Sequence, residues 1–139
     1  MPPTPNEQRV NSKAITIAVA ADICSVLAFV LAGRRSHDEM TAVAGIASTA
    51  WPFLAGLLVG WGVRRAWHRP LSVLRTGLPV AAITVAVGMI LRVISGQGTA
   101  VAFILVACVV LGVLLTGWRA LGCTVASRRR QPLRLEETT

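Results

Sequence analysis

The sequence has few charged residues and no tyrosine. Charged residues make up 14% of its 139 positions, whereas a typical soluble domain has about 25%. Hydrophobic residues make up 54% of the chain, and its mean hydropathy is +0.65. A single soluble domain of this size could not bury so much apolar surface. The composition therefore excludes an ordinary soluble domain and favours lipid as the surrounding solvent.

The residue patterns of common active sites are also missing. The sequence contains no Ser-His-Asp set, phosphate loop or dinucleotide fingerprint. Its three cysteines lie within or just beyond apolar runs, which is typical of small packing residues rather than of a disulfide framework. The run His37-Asp38-Glu39 makes a poor metal site because adjacent side chains point in different directions. We therefore expect no enzymatic activity, no cofactor and no metal.

Four apolar windows dominate the chain. Each is close to the about 20 residues that a helix needs to cross the hydrocarbon core, and backbone groups in lipid must be paired within their own segment. Short connections then make neighbouring helices antiparallel. We predict an all-α, polytopic membrane protein, an up-down-up-down bundle of four transmembrane helices. The predicted spans are residues 14–33, 41–63, 77–94 and 99–121, between a disordered tail (1–13) and a basic tail (122–139).

The first window has a second interpretation. Arg9 and Lys13 precede an apolar stretch, as in a cleaved signal peptide. Asp22 in the middle of the stretch, and the length of the stretch, favour a helix of the mature protein instead.

The positive charges are distributed unevenly between the two sides. Of the 14 Lys and Arg residues, eleven lie in the N-terminal tail, in the connection between the second and third spans, or at the C-terminal end from Arg119 onward. The positive-inside rule then places both termini in the cytoplasm of a multi-pass protein of the cell membrane. Three tryptophans fall at that boundary, where indole rings prefer to lie: Trp61, Trp67 and Trp118.

The net charge of +8 could also indicate nucleic acid as a partner. No basic helix face is interleaved with stacking aromatic residues, so we expect none. The expected partners are the lipid bilayer and its anionic headgroups, together with further copies of the chain or a larger membrane complex.

The sequence contains a weak internal repeat. Residues 41–44 and 99–102 are both Thr-Ala-Val-Ala, and residues 57–61 resemble residues 114–118. The pattern favours two helical hairpins that run parallel to each other. Chance matching in a sequence rich in Ala, Val, Leu and Gly is the alternative explanation.

Four short segments, taken in order, carry a family resemblance. They are GRRSH at 33–37, WPF at 51–53, GMILR at 88–92 and GWR at 117–119. Together they resemble an uncharacterised family of small four-span membrane proteins of actinobacteria (domain of unknown function 3054), over residues 20–119. The resemblance implies a four-helix fold in a bacterial cell membrane, and it implies no activity, substrate or catalytic residue.

Two charged residues inside the spans are candidate site residues. Asp22 is the only acidic residue within a span, where a carboxylate is costly unless it faces a partner or a water-filled cavity. It could couple transport to a proton or cation, or it could be paired and fix helix packing. Arg92, near the outer end of the third span, could reach outward to headgroups or pair with Asp22 across a vertical gap of roughly 10 Å.

The predicted outer face has a small basic cluster, formed by Arg34, Arg35 and His37. Such a cluster could hold a lipid phosphate or another anion. Alternatively, Asp38 and Glu39 could neutralise it within the same connection.

The second span contains Trp51 and Pro52 in its middle. Pro52 cannot donate to the Ser48 carbonyl, so we predict a helix kink there, with that carbonyl and nearby hydroxyls available inside the bundle. Gly56 and Gly60 have the spacing that favours close helix contact or dimerisation.

The sequence is compatible with two functions from different classes. The first is a structural or accessory membrane protein that packs with itself or with a larger complex. The second is a small oligomeric proton-coupled transporter that uses Asp22.

Overall fold

The chain forms four long helices. The computed structural model describes residues 5–33 and 39–129, with side chains for 12–33 and 43–125, and within these ranges it contains no strand. All four helices are long and apolar enough to cross a membrane, which confirms the predicted all-α architecture. The helices are α1 (Pro5–Gly33), α2 (Glu39–Arg64), α3 (Leu78–Ile94) and α4 (Val101–Arg129).

The helices pack as a ring in chain order. Each helix contacts the next one, α4 returns to contact α1, and α2 and α3 form the most extensive pair. One end of the bundle holds the start of α1, the end of α4 and the α2–α3 connection, and we call it the tail end. The opposite end holds the α3–α4 connection, and we call it the loop end.

Two helices extend beyond the spans that hydropathy indicated. α1 begins at Pro5, so residues 5–13 of the predicted disordered tail are helical, and α4 continues through residues 122–129 of the predicted basic tail. Proline is favoured at the first helical position, and an existing helix adds one hydrogen bond for each residue it gains. The change from apolar to polar residues predicts where the membrane-spanning part ends, and these two helices continue past that position. Residues 1–4, 34–38 and 130–139 lie outside the described part of the chain.

The α2–α3 connection is made largely of tight turns. α2 ends at Arg64, the next residue, Arg65, has a left-handed φ of 46°, and a 3₁₀ turn follows at Ala66–His68. A π-helical turn at Val73–Gly77 then leads directly into α3. The amide of Gly77 donates to the Ser72 carbonyl at 2.9 Å, which closes this wide turn. The third apolar span therefore begins at Val73, four residues before the predicted residue 77.

Glycine allows α2 and α3 to approach closely. A Cβ added to Gly56 would lie 2.6 Å from the Thr84 carbonyl oxygen, and one added to Gly88 would lie 2.7 Å from the Phe53 ring. Gly60 is also close, with 3.2 Å between its added Cβ and the Val80 carbonyl oxygen. The small-residue spacing of α2 therefore serves a contact within the chain.

We expect Gly56→Ala to destabilise the bundle by about 1–3 kcal/mol, because its methyl group would meet the backbone of α3 and force the helices apart. Gly62→Ala is the matched control on the same helix, since nothing lies within 4 Å of its added Cβ. Thermal unfolding of the purified protein in detergent measures the difference. Equal melting temperatures for the two variants would show that the α2–α3 contact is looser than described.

Candidate functional site

The most unusual group in the bundle is the carboxylate of Asp22, which is fully buried on α1. The indole Nε1 of Trp61 donates to its Oδ2 at 2.9 Å, and that of Trp118 donates to its Oδ1 at 2.9 Å. The guanidinium of Arg119 donates to both oxygens at 2.7 Å. We call these four residues the charge-pair network.

Arg119 is itself fully buried and hydrogen-bonded through each of its nitrogens. Besides the two bonds to Asp22, its Nε donates to the Pro70 carbonyl at 2.9 Å, and its Nη1 also donates to the Leu115 carbonyl. The guanidinium carbon lies 4.5 Å from the centroid of the Trp118 ring. A planar, bidentate pair of this kind is the strongest geometry for an arginine and a carboxylate.

Each part of the fold contributes to the network. α1 supplies the acid, α2 supplies Trp61, α4 supplies Trp118 and Arg119, and the α2–α3 connection supplies the Pro70 carbonyl. The same connection leaves room for the arginine at Gly77, because a Cβ there would lie 3.1 Å from the Arg119 Cδ. The network therefore joins α1, α2, α4 and the α2–α3 connection at the tail end of the bundle.

The geometry suits an ionised carboxylate. A carboxylate offers about four lone-pair positions, and N–H groups of the network supply four hydrogen bonds to Asp22. All of these partners are donors, so a proton on Asp22 would displace one of them. The arrangement can hold a fixed negative charge and orient three helices around it.

The sequence identified Asp22 and offered Arg92 as one possible partner, but it did not identify Arg119 as the partner. The proposed pair with Arg92 does not form, because Arg92 lies at the loop end while the partner, Arg119, lies at the tail end. Because Arg119 closes the fourth apolar run, hydropathy places it among the charged residues that flank the span. Since α4 continues to Arg129, Arg119 lies inside the helix and its side chain can turn into the bundle.

The aligned tryptophans of the internal repeat have matching roles. Trp61 and Trp118 occupy the corresponding last positions of the similar segments 57–61 and 114–118, and each donates to one oxygen of Asp22. The sequence analysis interprets both tryptophans as anchors at the membrane boundary, and their correspondence in the repeat is a signal that could have linked them to Asp22. The duplication itself stays a prediction.

Arg92 instead organises the loop end. Its Nη1 donates to the Gln97 Oε1 at 2.9 Å, and its guanidinium carbon lies 4.5 Å from the centroid of the Phe103 ring. The Gln97 amide then donates to the Ser48 carbonyl at 2.9 Å. This carbonyl is the one that Pro52 leaves without its usual helical donor. The α3–α4 connection therefore completes the hydrogen bonding of α2.

The surroundings of Trp51 and Pro52 differ in part from expectation. Pro52 is buried, but the Trp51 side chain is 44% exposed on the outside of the bundle. The hydroxyls of Ser48 and Thr49 both donate to the Gly45 carbonyl, so they stay paired along α2 and are not available to the bundle interior. α2 is helical through Pro52, and the predicted kink stays a prediction.

The predicted anion site on the outer face lies outside the described part of the chain. Arg34, Arg35 and His37 lie outside the described residues, and so does Asp38. Within residues 12–33 and 43–125, whose side chains the structure describes, no group of three or more His, Cys, Asp or Glu is placed to hold a metal ion.

Four apolar helices joined by a buried charge pair define a small multi-pass membrane protein. A family model described as "Protein of unknown function (DUF3054)" matches residues 19–122, which is more than half of the chain. The chain therefore belongs to this family, as the resemblance indicated, and the matched region contains the whole charge-pair network. Comparison with curated proteins and with solved structures gives no match.

Removing either member of the charge pair alone should destabilise the protein by about 3–5 kcal/mol, because it leaves the other charge buried and unpaired. We expect the double variant Asp22→Leu/Arg119→Met to lose clearly less than the sum of the two single changes. Unfolding of the three variants in detergent gives this double-mutant cycle.

The control for this cycle is Arg75→Met, which removes an exposed arginine from the same end of the bundle. Its effect should stay within about 0.5 kcal/mol. Additive losses across the cycle would show that Asp22 and Arg119 do not interact in the folded protein.

Proposed function

We propose that this protein is a structural or accessory subunit of a membrane assembly, without catalytic activity of its own. The observation that carries the proposal is the carboxylate of Asp22, held by four N–H donors from two other helices. A charge fixed in this way sets how the helices pack and has no vacant position for a ligand.

The alternative, a proton-coupled transporter, would use Asp22 differently. A coupling carboxylate has to exchange its partners for a proton or a cation, and it needs access to water while it does so. Asp22 is 0% exposed, and its strongest partner, Arg119, is held in place by the Pro70 and Leu115 carbonyls as well. Releasing Asp22 would leave two buried charges unpaired, and this cost favours the structural role.

The outward surface of the bundle supports association with a partner. Only 17–33% of each apolar span is buried inside the chain, so most of the surface has to be covered by lipid or by another protein. The groove between α3 and α4, of about 500 Å³, is lined largely by small and aliphatic residues. Large apolar side chains are exposed on all four helices, among them Leu31, Leu58, Ile94 and Val109.

We further propose that the tail end faces the cytoplasm of a bacterial cell. Eleven of the 14 Lys and Arg residues belong to that end of the chain or to its tails. Arg119 is paired with Asp22 inside the bundle and does not face the headgroups. The remaining ten Lys and Arg residues on this side still outnumber the three on the other side.

The two functions predict different behaviour of Asp22. Infrared spectra of the protein in lipid, compared with an Asp22→Asn control, should show a carboxylate band of Asp22 that does not shift when cations are added. Proteoliposomes containing the protein should show no proton flux that depends on Asp22. A band of Asp22 that shifts when a cation is added, together with a proton flux that the Asp22→Asn variant lacks, would establish the transporter instead.

The orientation can be tested by labelling introduced cysteines. In a chain whose three native cysteines are changed to serine, Ala100→Cys should react with a membrane-impermeant maleimide on intact cells, because it lies at the loop end. Thr138→Cys should react only after lysis, because the positive-inside rule places the tail in the cytoplasm. The reverse pattern would invert the proposed topology.

A further inference from the structure

The α2–α3 connection folds into a strongly basic cavity at the tail end. The cavity has a volume of about 310 Å³ and is formed by the end of the second apolar span, the connection and the start of the third span. Four arginines, one histidine and one threonine line it: Arg64, Arg65, Arg69, Arg75, His68 and Thr76. We call it the arginine cavity.

No side chain that the structure describes supplies an acid to balance these charges. Within residues 12–33 and 43–125 the only Asp or Glu is Asp22, which is already paired with Arg119. Like charges gathered in one concavity repel one another. A cavity that concentrates guanidinium groups is therefore stabilised by a bound anion.

The backbone around the arginine cavity is held in place before any ligand binds. The hydroxyl of Thr76 donates to the Arg69 carbonyl at 2.7 Å, and Arg64 donates to the Arg75 carbonyl at 3.1 Å. Arg119 of the charge-pair network holds the neighbouring Pro70 carbonyl at 2.9 Å. Binding to a preorganised site costs little further ordering, which makes these arginines better placed than those of a flexible tail.

One of these arginines has an unfavourable backbone conformation. Arg65 has φ 46° and ψ 49°, a left-handed conformation that is usually left to glycine. Strain of this kind is retained where the surrounding structure requires it, often at binding sites. Here it turns the chain sharply at the end of α2, next to the arginine cavity.

The position of the arginine cavity indicates the source of the anion. Arg64 ends the second apolar span and Val73 begins the third, so the cavity lies at the depth of the lipid headgroups. Beside it, large apolar side chains are exposed where acyl chains would lie: Trp67, Leu71, Leu74 and Leu78. A basic site bordered by exposed apolar residues matches a phospholipid, with the phosphate above and the chains below.

We propose that the arginine cavity is a binding site for the phosphate headgroup of an anionic phospholipid. Arginine recognises phosphate through paired N–H donors, and several arginines can share one headgroup. On the orientation proposed above, the lipid belongs to the cytoplasmic leaflet. The assignment of the ligand does not depend on that orientation or on the structural role of Asp22.

The test is native mass spectrometry of the full-length protein in detergent, titrated with phosphatidylglycerol or with phosphatidylcholine. The variant Arg65→Gln/Arg69→Gln/Arg75→Gln should bind phosphatidylglycerol at least about tenfold more weakly than the unchanged protein. Binding of phosphatidylcholine should change little. The matched control is Arg128→Gln/Arg129→Gln/Arg130→Gln, which removes the same charge from the C-terminal part of the chain and should lower the affinity by less than about threefold.

Two further measurements keep the outcome interpretable. A second variant, in which Arg65, Arg69 and Arg75 are changed to Lys, retains the charge and loses paired donation, so its affinity should fall between the other two. Circular dichroism and thermal unfolding check that each variant remains folded.

Two results would overturn the proposal. Equal losses in the cavity variant and the tail variant would mean that only diffuse charge attracts the lipid. Full displacement of phosphatidylglycerol by millimolar inorganic phosphate would mean that the cavity takes a free anion rather than a lipid.

Discussion

The arrangement of this bundle depends on the buried pair between Asp22 and Arg119. Neither charge is tolerable alone in the apolar interior, and together they meet only when α1 and α4 are correctly aligned. The two tryptophans extend the requirement to α2, and the bond to the Pro70 carbonyl extends it to the α2–α3 connection. Apolar helices of Ala, Val, Leu and Gly could slide or rotate against one another at little cost. A bidentate ion pair permits one alignment.

Close packing of α2 on α3 is the second interaction that fixes the positions of the helices. Gly56 and Gly88 bring the two backbones together, so this pair is held by van der Waals contact rather than by polar groups. Phe53 packs on Gly88 and joins a cluster with Phe29 and Phe103, which lies toward the loop end. The bundle therefore has a polar anchor at one end and an aromatic anchor at the other.

The sequence was sufficient to predict the helices, and it was not sufficient to predict the partner of Asp22. Hydropathy locates spans because lipid leaves the backbone no alternative to a helix. It also makes an acid such as Asp22 stand out at once. The choice between Arg92 and Arg119 depends on which way each helix faces and on how far it continues past the apolar run, and neither is encoded in hydropathy. The observed helix ends differ from the predicted span ends for the same reason, since Pro5 and Arg129 lie in polar sequence that hydropathy does not assign to a helix.

The location of Arg119 in the last helix has a consequence for biosynthesis. A membrane protein enters the bilayer in the order of its sequence, so α1 arrives with Asp22 long before α4 exists. Until the final span is inserted, the carboxylate of Asp22 lacks its partner Arg119. The Ser48 carbonyl likewise lacks its donor until Gln97 has been synthesised. A chain that stops early exposes an unpaired charge within the membrane. In the complete chain, Arg119 neutralises this charge. Complete and incomplete chains therefore differ in whether the carboxylate of Asp22 is paired.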